Sequence, residues 1–77
     1  DGRSKASISD MTAITLSLIS RLPERQRIAI HMRDVEGYEL EEIALMLECD
    51  QTSVRMNLSR ARKSIREQLL KIINYGV

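Results

Sequence analysis

The sequence predicts an all-α domain of four helices. Apolar residues make up 43% of the 77 residues, yet the aromatic ones are only Tyr38 and Tyr75, and such an aliphatic core suits packed helices better than a sheet. Apolar positions recur at intervals of three and four through four stretches. Between those stretches stand Pro23, Gly37 and Asp50, residues that start and stop helices.

The first helix is expected over 10–20, with Met11, Ile14, Leu18 and Leu22 on one side and Asp10 as its N-cap. Leu22-Pro23-Glu24 restarts the chain, because proline is tolerated at the first helical position and an acid there complements the helix dipole. The second helix, 23–35, turns Ile28, Ala29, Met32 and Val35 to one face and stops at Glu36-Gly37. A short third helix, 40–47, has Leu40, Ile43, Ala44 and Leu47 inward and Glu41 and Glu42 outward. Three residues, 48–50, form the break, and Asp50 is placed to cap the next helix through the amide of Ser53 or its neighbour. In the fourth, Val54, Leu58, Ala61, Ile65, Leu69 and Ile72 make one apolar stripe. A helix from about 51 to 73 is roughly 34 Å long at 1.5 Å per residue. Residues 74–77 read as its frayed end.

A chain of this length holds one domain and one modest core, which supplies about 3–5 kcal/mol of net stability. Residues 1–9 are mostly polar and without helical periodicity, so they read as an inter-domain linker, and 10–77 as the domain, cut from a longer protein. One cysteine, Cys49, and one histidine, His31, make neither a disulfide nor a metal site, and a reducing cytoplasm fits best. No cofactor and no small-molecule substrate are expected. Apolar runs fall far short of the roughly 20 residues that span a bilayer. Glu41 and Glu42 are adjacent, about 100° apart on a helix, which argues against a general acid/base pair and against an enzyme.

Charge is strongly segregated. Residues 1–33 carry six bases against three acids, residues 34–50 seven acids and no base, and residues 51–77 six bases against one acid. A basic last helix beside an acidic segment points to an anionic ligand better than the net charge of +1 does.

A short helix, a three-residue break and a long basic amphipathic helix make the pattern of a helix-turn-helix. Ala44 is small where the two helices cross, and Val54 is the first apolar side chain that the second turns back into the crossing. The expected fold is a tetra-helical helix-turn-helix, with a three-helix core of the winged-helix-like or LuxR-like kind and a long recognition helix. Gln51, Thr52, Ser53, Arg55, Met56 and Ser59 then lie at the exposed end that enters a major groove. There Gln reads adenine, Arg reads guanine, and Ser or Thr serves base or phosphate, while Met56 suits a thymine methyl. Arg62, Lys63 and Arg66 follow further along the same helix, divided between phosphate contact and solvent.

Three runs, Leu22-Pro23-Glu24-Arg25-Gln26-Arg27, Gly37-Tyr38-Glu39-Leu40-Glu41-Glu42-Ile43-Ala44 and Ser53-Val54-Arg55-Met56-Asn57-Leu58-Ser59-Arg60-Ala61-Arg62-Lys63, resemble region 4 of bacterial sigma factors. The nearest group is the extracytoplasmic-function (ECF) branch of the sigma-70 family, over about residues 10–70. The resemblance implies recognition of the −35 element of double-stranded promoter DNA, docking on the β flap of core RNA polymerase, and masking by an anti-sigma factor. Arg55, Met56, Ser59 and Arg60 match groove-facing positions, and Arg33 matches a backbone-contacting one. Leu40 and Glu41 fall near DNA at the start of the third helix. On this reading Arg55 reads directly, Gln51, Thr52, Ser53, Met56 and Ser59 assist, and Arg33, Arg60 and Lys63 position phosphates. Three departures from the family pattern stand out. Glu39 replaces a capping Ser or Thr, expected to cost about 0.5–2 kcal/mol. Glu48 sits where Gly is common, and Asn57 replaces a frequent Arg. Two other readings are a response-regulator effector domain and a helical protein-interaction module. The Leu22-Pro23 start of the second helix fits the former, but the Arg60-Ala61-Arg62-Lys63 continuation argues against it. The latter would use the acidic stretch 34–50 and the apolar end Ile72, Ile73 and Tyr75.

Overall fold

A computed structural model describes residues 8–75. The order is α1 (Ile8–Ser20), α2 (Glu24–Ile30), a π-helical turn (His31–Val35), α3 (Leu40–Leu47) and α4 (Gln51–Tyr75), the all-α helix-turn-helix architecture expected. No strand occurs among the described residues. Residues 1–7 of the expected linker and residues 76–77 of the expected frayed end lie outside the described residues.

Each helix follows from a local cause, with shifts of a residue or two. Because α1 begins at Ile8, Asp10 stands in its first turn and not at its N-cap; a carboxylate there complements the dipole. Pro23 is the N-cap of α2 and not its first residue: its carbonyl accepts the Arg27 N–H at 2.8 Å while an extended ψ of 150° turns the chain out of α1. At the other end of α2 the ladder widens. Glu36 N–H donates to the His31 carbonyl at 3.0 Å, a bond spanning five residues, and Gly37 at φ +86° reverses the chain. The extra residue in that turn rotates the positions after it: Val35, expected inside, is 48% exposed, while Ile30, just ahead of the turn, is buried.

The start of α3 is capped in spite of Glu39. Glu42 reaches back, and its Oε1 accepts the Glu39 N–H at 2.8 Å, the reciprocal arm of a capping box. The anticipated loss at this helix end is thereby offset. The far end closes in a Schellman arrangement, with Glu48 N–H donating to Leu45 O at 3.3 Å and Cys49 N–H to Ala44 O at 3.0 Å. That geometry puts Glu48 in the left-handed region at φ 55°, where a side chain is strained.

Two apolar clusters hold the helices. In the larger, Leu18, Ile19 and Leu22 from α1 and the turn after it meet Ile30 and the stripe residues Leu58, Ala61 and Ile65. In the smaller, Ile43 and Ala44 meet Val54, with Met32 and Cys49 at the margin. Leu40 packs against both and joins them. Leu47, expected inward, is 37% exposed because the crossing lies a turn earlier; it lines an open cleft with Ile28 and Ala29. The stripe on α4 outruns its partners as well. Leu69 is half-buried, but Ile72 is largely exposed, since the helix continues past α1. His31 is exposed, with Glu36 3.5 Å from its Nδ1.

Glu48→Gly is expected to stabilise the domain by about 0.5–1 kcal/mol. Relief of a left-handed side chain, about 1–2 kcal/mol, exceeds the added freedom of glycine in the unfolded chain. A rise in the urea midpoint checks this; a fall would mean that the Glu48 side chain contributes more than its backbone strain removes.

Candidate nucleic-acid interface

The site begins with the cap of α4. Asp50 Oδ1 accepts the Ser53 N–H at 2.7 Å, and the Asp50 carbonyl accepts the Val54 N–H at 3.3 Å. The backbone amide of Ser53, and after it the Ser53 side chain, favour the ionised carboxylate and hold Asp50 below the usual carboxylate range. The helix therefore starts sharply at Gln51, its first amides turned toward solvent.

What aims that helix is the crossing with α3. Ile43 and Val54 are sealed, at 0% and 1% exposure, and Ala44 at 7% lets the backbones approach. With the stripe through Val54, Leu58, Ala61 and Ile65 turned inward, about 100° per residue sets every other position. Arg55, Ser59, Arg62 and Arg66 share a sector of roughly 60°, flanked by Gln51 and Thr52. Lys63 and Met56 lie at its edge. Ser53 and Arg60 point about 140–160° away from Arg55, so the helix does not bring them into the same row. Ser53 is half-buried, and its carbonyl accepts Asn57 Nδ2 at 3.0 Å, which turns Asn57 onto the helix backbone. Gln51, Thr52, Arg55, Met56, Ser59, Arg60, Arg62 and Lys63 are all exposed.

Arg33, Arg55, Ser59, Arg62, Lys63 and Arg66 line a single open groove of about 450 Å³. Arg33 reaches it from the π turn, where Nη1 donates to the Tyr38 carbonyl at 2.8 Å and lies 3.6 Å from Glu39 Oε1. Arg62 is tied differently. Its Nε donates to Asp34 Oδ2 at 2.9 Å and its Nη2 to Asp34 Oδ1 at 2.6 Å, a two-pronged pair across 28 residues. That hydrogen-bonded pairing raises the Arg62 pKa still further. Among the described residues no acid pairs with Arg55, Arg60, Lys63 or Arg66. Sequence reasoning missed Asp34 altogether, for nothing local links it to a base on another helix.

A second surface adjoins the first. Met11, Leu16, Ile19, Val35, Leu69 and Leu70 line an apolar groove of about 790 Å³ between α1, the π turn and the second half of α4, with Arg62 and Arg66 along its border. Among the described residues, no cluster of His, Cys, Asp or Glu is placed to hold a metal ion, and no helix is long and apolar enough to cross a membrane.

A capped basic helix held across a short helix by one sealed crossing defines the domain as a helix-turn-helix protein. The sequence profile described as "Sigma-70, region 4" matches residues 12–65, and the chain belongs to that family. The ECF RNA polymerase sigma-E factors of Salmonella typhimurium strain LT2 and Escherichia coli strain K12 are each 34% identical to it over 64 residues, 83% of this chain and 34% of theirs. That of Haemophilus influenzae strain Rd is 34% identical over 61 residues, 79% of this chain and 32% of its own. These likenesses put the domain in the ECF group, and the chain spans about a third of the length of those relatives. No solved structure matches it. The family is one of transcription factors that carry out no catalysis themselves.

Two outcomes test the geometry. Ala44→Leu is expected to cost about 1–3 kcal/mol, because the added bulk pries the helix pair apart; chemical denaturation measures it, and an unchanged midpoint would show that the crossing has room. The depressed pKa of Asp50 contributes stability that is present above the unfolded value of about 3.9 and lost as pH falls through the folded one. Asp50→Asn is therefore less stable than wild type at pH 7, and the two converge at strongly acid pH. Parallel pH profiles would show that the carboxylate charge plays no part.

Proposed function

We propose that this domain recognises the −35 element of promoter DNA through the first turns of α4 while it is docked on core RNA polymerase. The observation that carries the reading is the row of Gln51, Thr52, Arg55 and Ser59 on one exposed face of a helix whose start and rotation are fixed, in a region 4 chain. The mechanism is recruitment. Arg55, first of the row's bases and unpaired among the described residues, reads a base by its planar fork, and Gln51, Thr52, Ser59 and Met56 assist. Ser53 serves through its place at the cap. Arg33, Lys63 and, from the far side of the helix, Arg60 position the flanking phosphates.

The apolar groove beside α1 supplies a protein-facing surface, and the flap of the polymerase β subunit is its proposed occupant. An anti-sigma factor covering either face would silence the domain. Both activities belong in the cytoplasm, where promoter and polymerase are.

Arg55→Ala is expected to weaken binding by about 1–3 kcal/mol and to blur preference at one base pair. The measurement is recovery of selected duplexes with core polymerase, using this domain joined to a sigma region 2. Selective enrichment that Arg55→Ala abolishes supports promoter reading. Equal weakening on every duplex would make Arg55 a phosphate contact, and sequence-blind recovery by the wild type would sink the proposal.

A further inference from the structure

Arg62 stands in the middle of the basic row on α4, yet among the described residues it is the one member of that row with a carboxylate on it. Asp34 comes from the π turn, a backbone feature that is rare and concentrated at functional positions. Both partners are partly exposed, at 48% and 38% of their side-chain surface, so the pair is accessible to a competing anion. The geometry points to Asp34 as a residue that limits sequence-independent affinity: it holds Arg62 in an internal pair and withholds it from DNA phosphate. This inference rests on DNA recognition by α4.

The physical logic is a competition between one carboxylate and a phosphate for the same guanidinium fork. Phosphates are the same on every duplex, so a cation free to grip one raises affinity without adding information. A cation kept occupied leaves discrimination to Arg55 and its neighbours. Lys63, the next residue, and Arg66, one turn on, both unpaired among the described residues, show that the withheld charge is specific to Arg62 and not a property of the groove.

The test is the salt dependence of duplex binding by this chain, followed by fluorescence anisotropy with one selected and one scrambled duplex. The variants are Asp34→Asn, Arg62→Gln, their double and Arg55→Ala. Circular dichroism checks that each remains folded. Arg62→Gln alone should leave the log–log slope unchanged. Asp34→Asn should steepen it by about 0.9, the value of one phosphate contact, and strengthen both duplexes alike at low salt. The double variant should return to the wild-type slope. A flatter slope for Arg62→Gln alone, an unchanged slope for Asp34→Asn, or an equal steepening in the double overturns the assignment, the last because the effect would then come from loss of the Asp34 charge and not from a freed Arg62. If Arg55→Ala still weakens selected binding in those cases, α4 recognition survives and only the role of Asp34 fails. No binding by any variant, also when the domain is joined to a sigma region 2 on core polymerase, overturns both.

Discussion

Ile43, Ala44 and Val54 meet where α3 crosses the first turns of α4, and the direction of every exposed side chain on α4 follows from that contact. A helix has one rotational freedom about its axis, and burying Val54, Leu58, Ala61 and Ile65 removes it. The row of Gln51, Thr52, Arg55 and Ser59 then stands roughly 110° round from the stripe, turned there by the burial of that stripe. Ala44 is the small member of this arrangement, and added bulk there presses on Ile43 and Val54, which are fully buried.

The turn between the two helices is as constrained as the crossing. Its three residues close the end of α3 with two backbone bonds and open α4 with one carboxylate, so few backbone groups are left to solvent choice. The strained φ of Glu48 is the cost of that economy. It persists because the Schellman bonds and the half-buried Cys49 over-determine the conformation.

The acidic stretch 34–50 reads in one dimension as a patch for a partner, yet folding distributes its carboxylates among separate tasks. Asp34 holds Arg62, Glu36 faces His31, Glu39 lies beside Arg33, Glu42 caps α3 and Asp50 caps α4. Several of the acids are thus internal ties of a small domain with a thin core. The basic groove and the apolar groove are equally products of this folding, and they share Arg62 and Arg66 as a common wall. Two ligands on adjoining faces of one helix need not be independent.

Periodicity, capping residues and breakers are local signals, and they determined the helices, the stripe on α4, the turn at 48–50 and the Asp50 cap from the sequence alone. The exposed row of Gln51, Thr52, Arg55 and Ser59 followed from the same pattern, because a helix converts spacing into direction. Tertiary structure decided what depends on distant partners. The π turn, visible in no propensity, exposed Val35; packing against α1 and α4 buried Ile30; the early crossing left Leu47 at an open cleft; and α4 outran its neighbours beyond Leu69. Above all, the pairing of Asp34 with Arg62 joins residues 28 positions apart, a relation that sequence spacing cannot carry because it exists only once the two helices have packed.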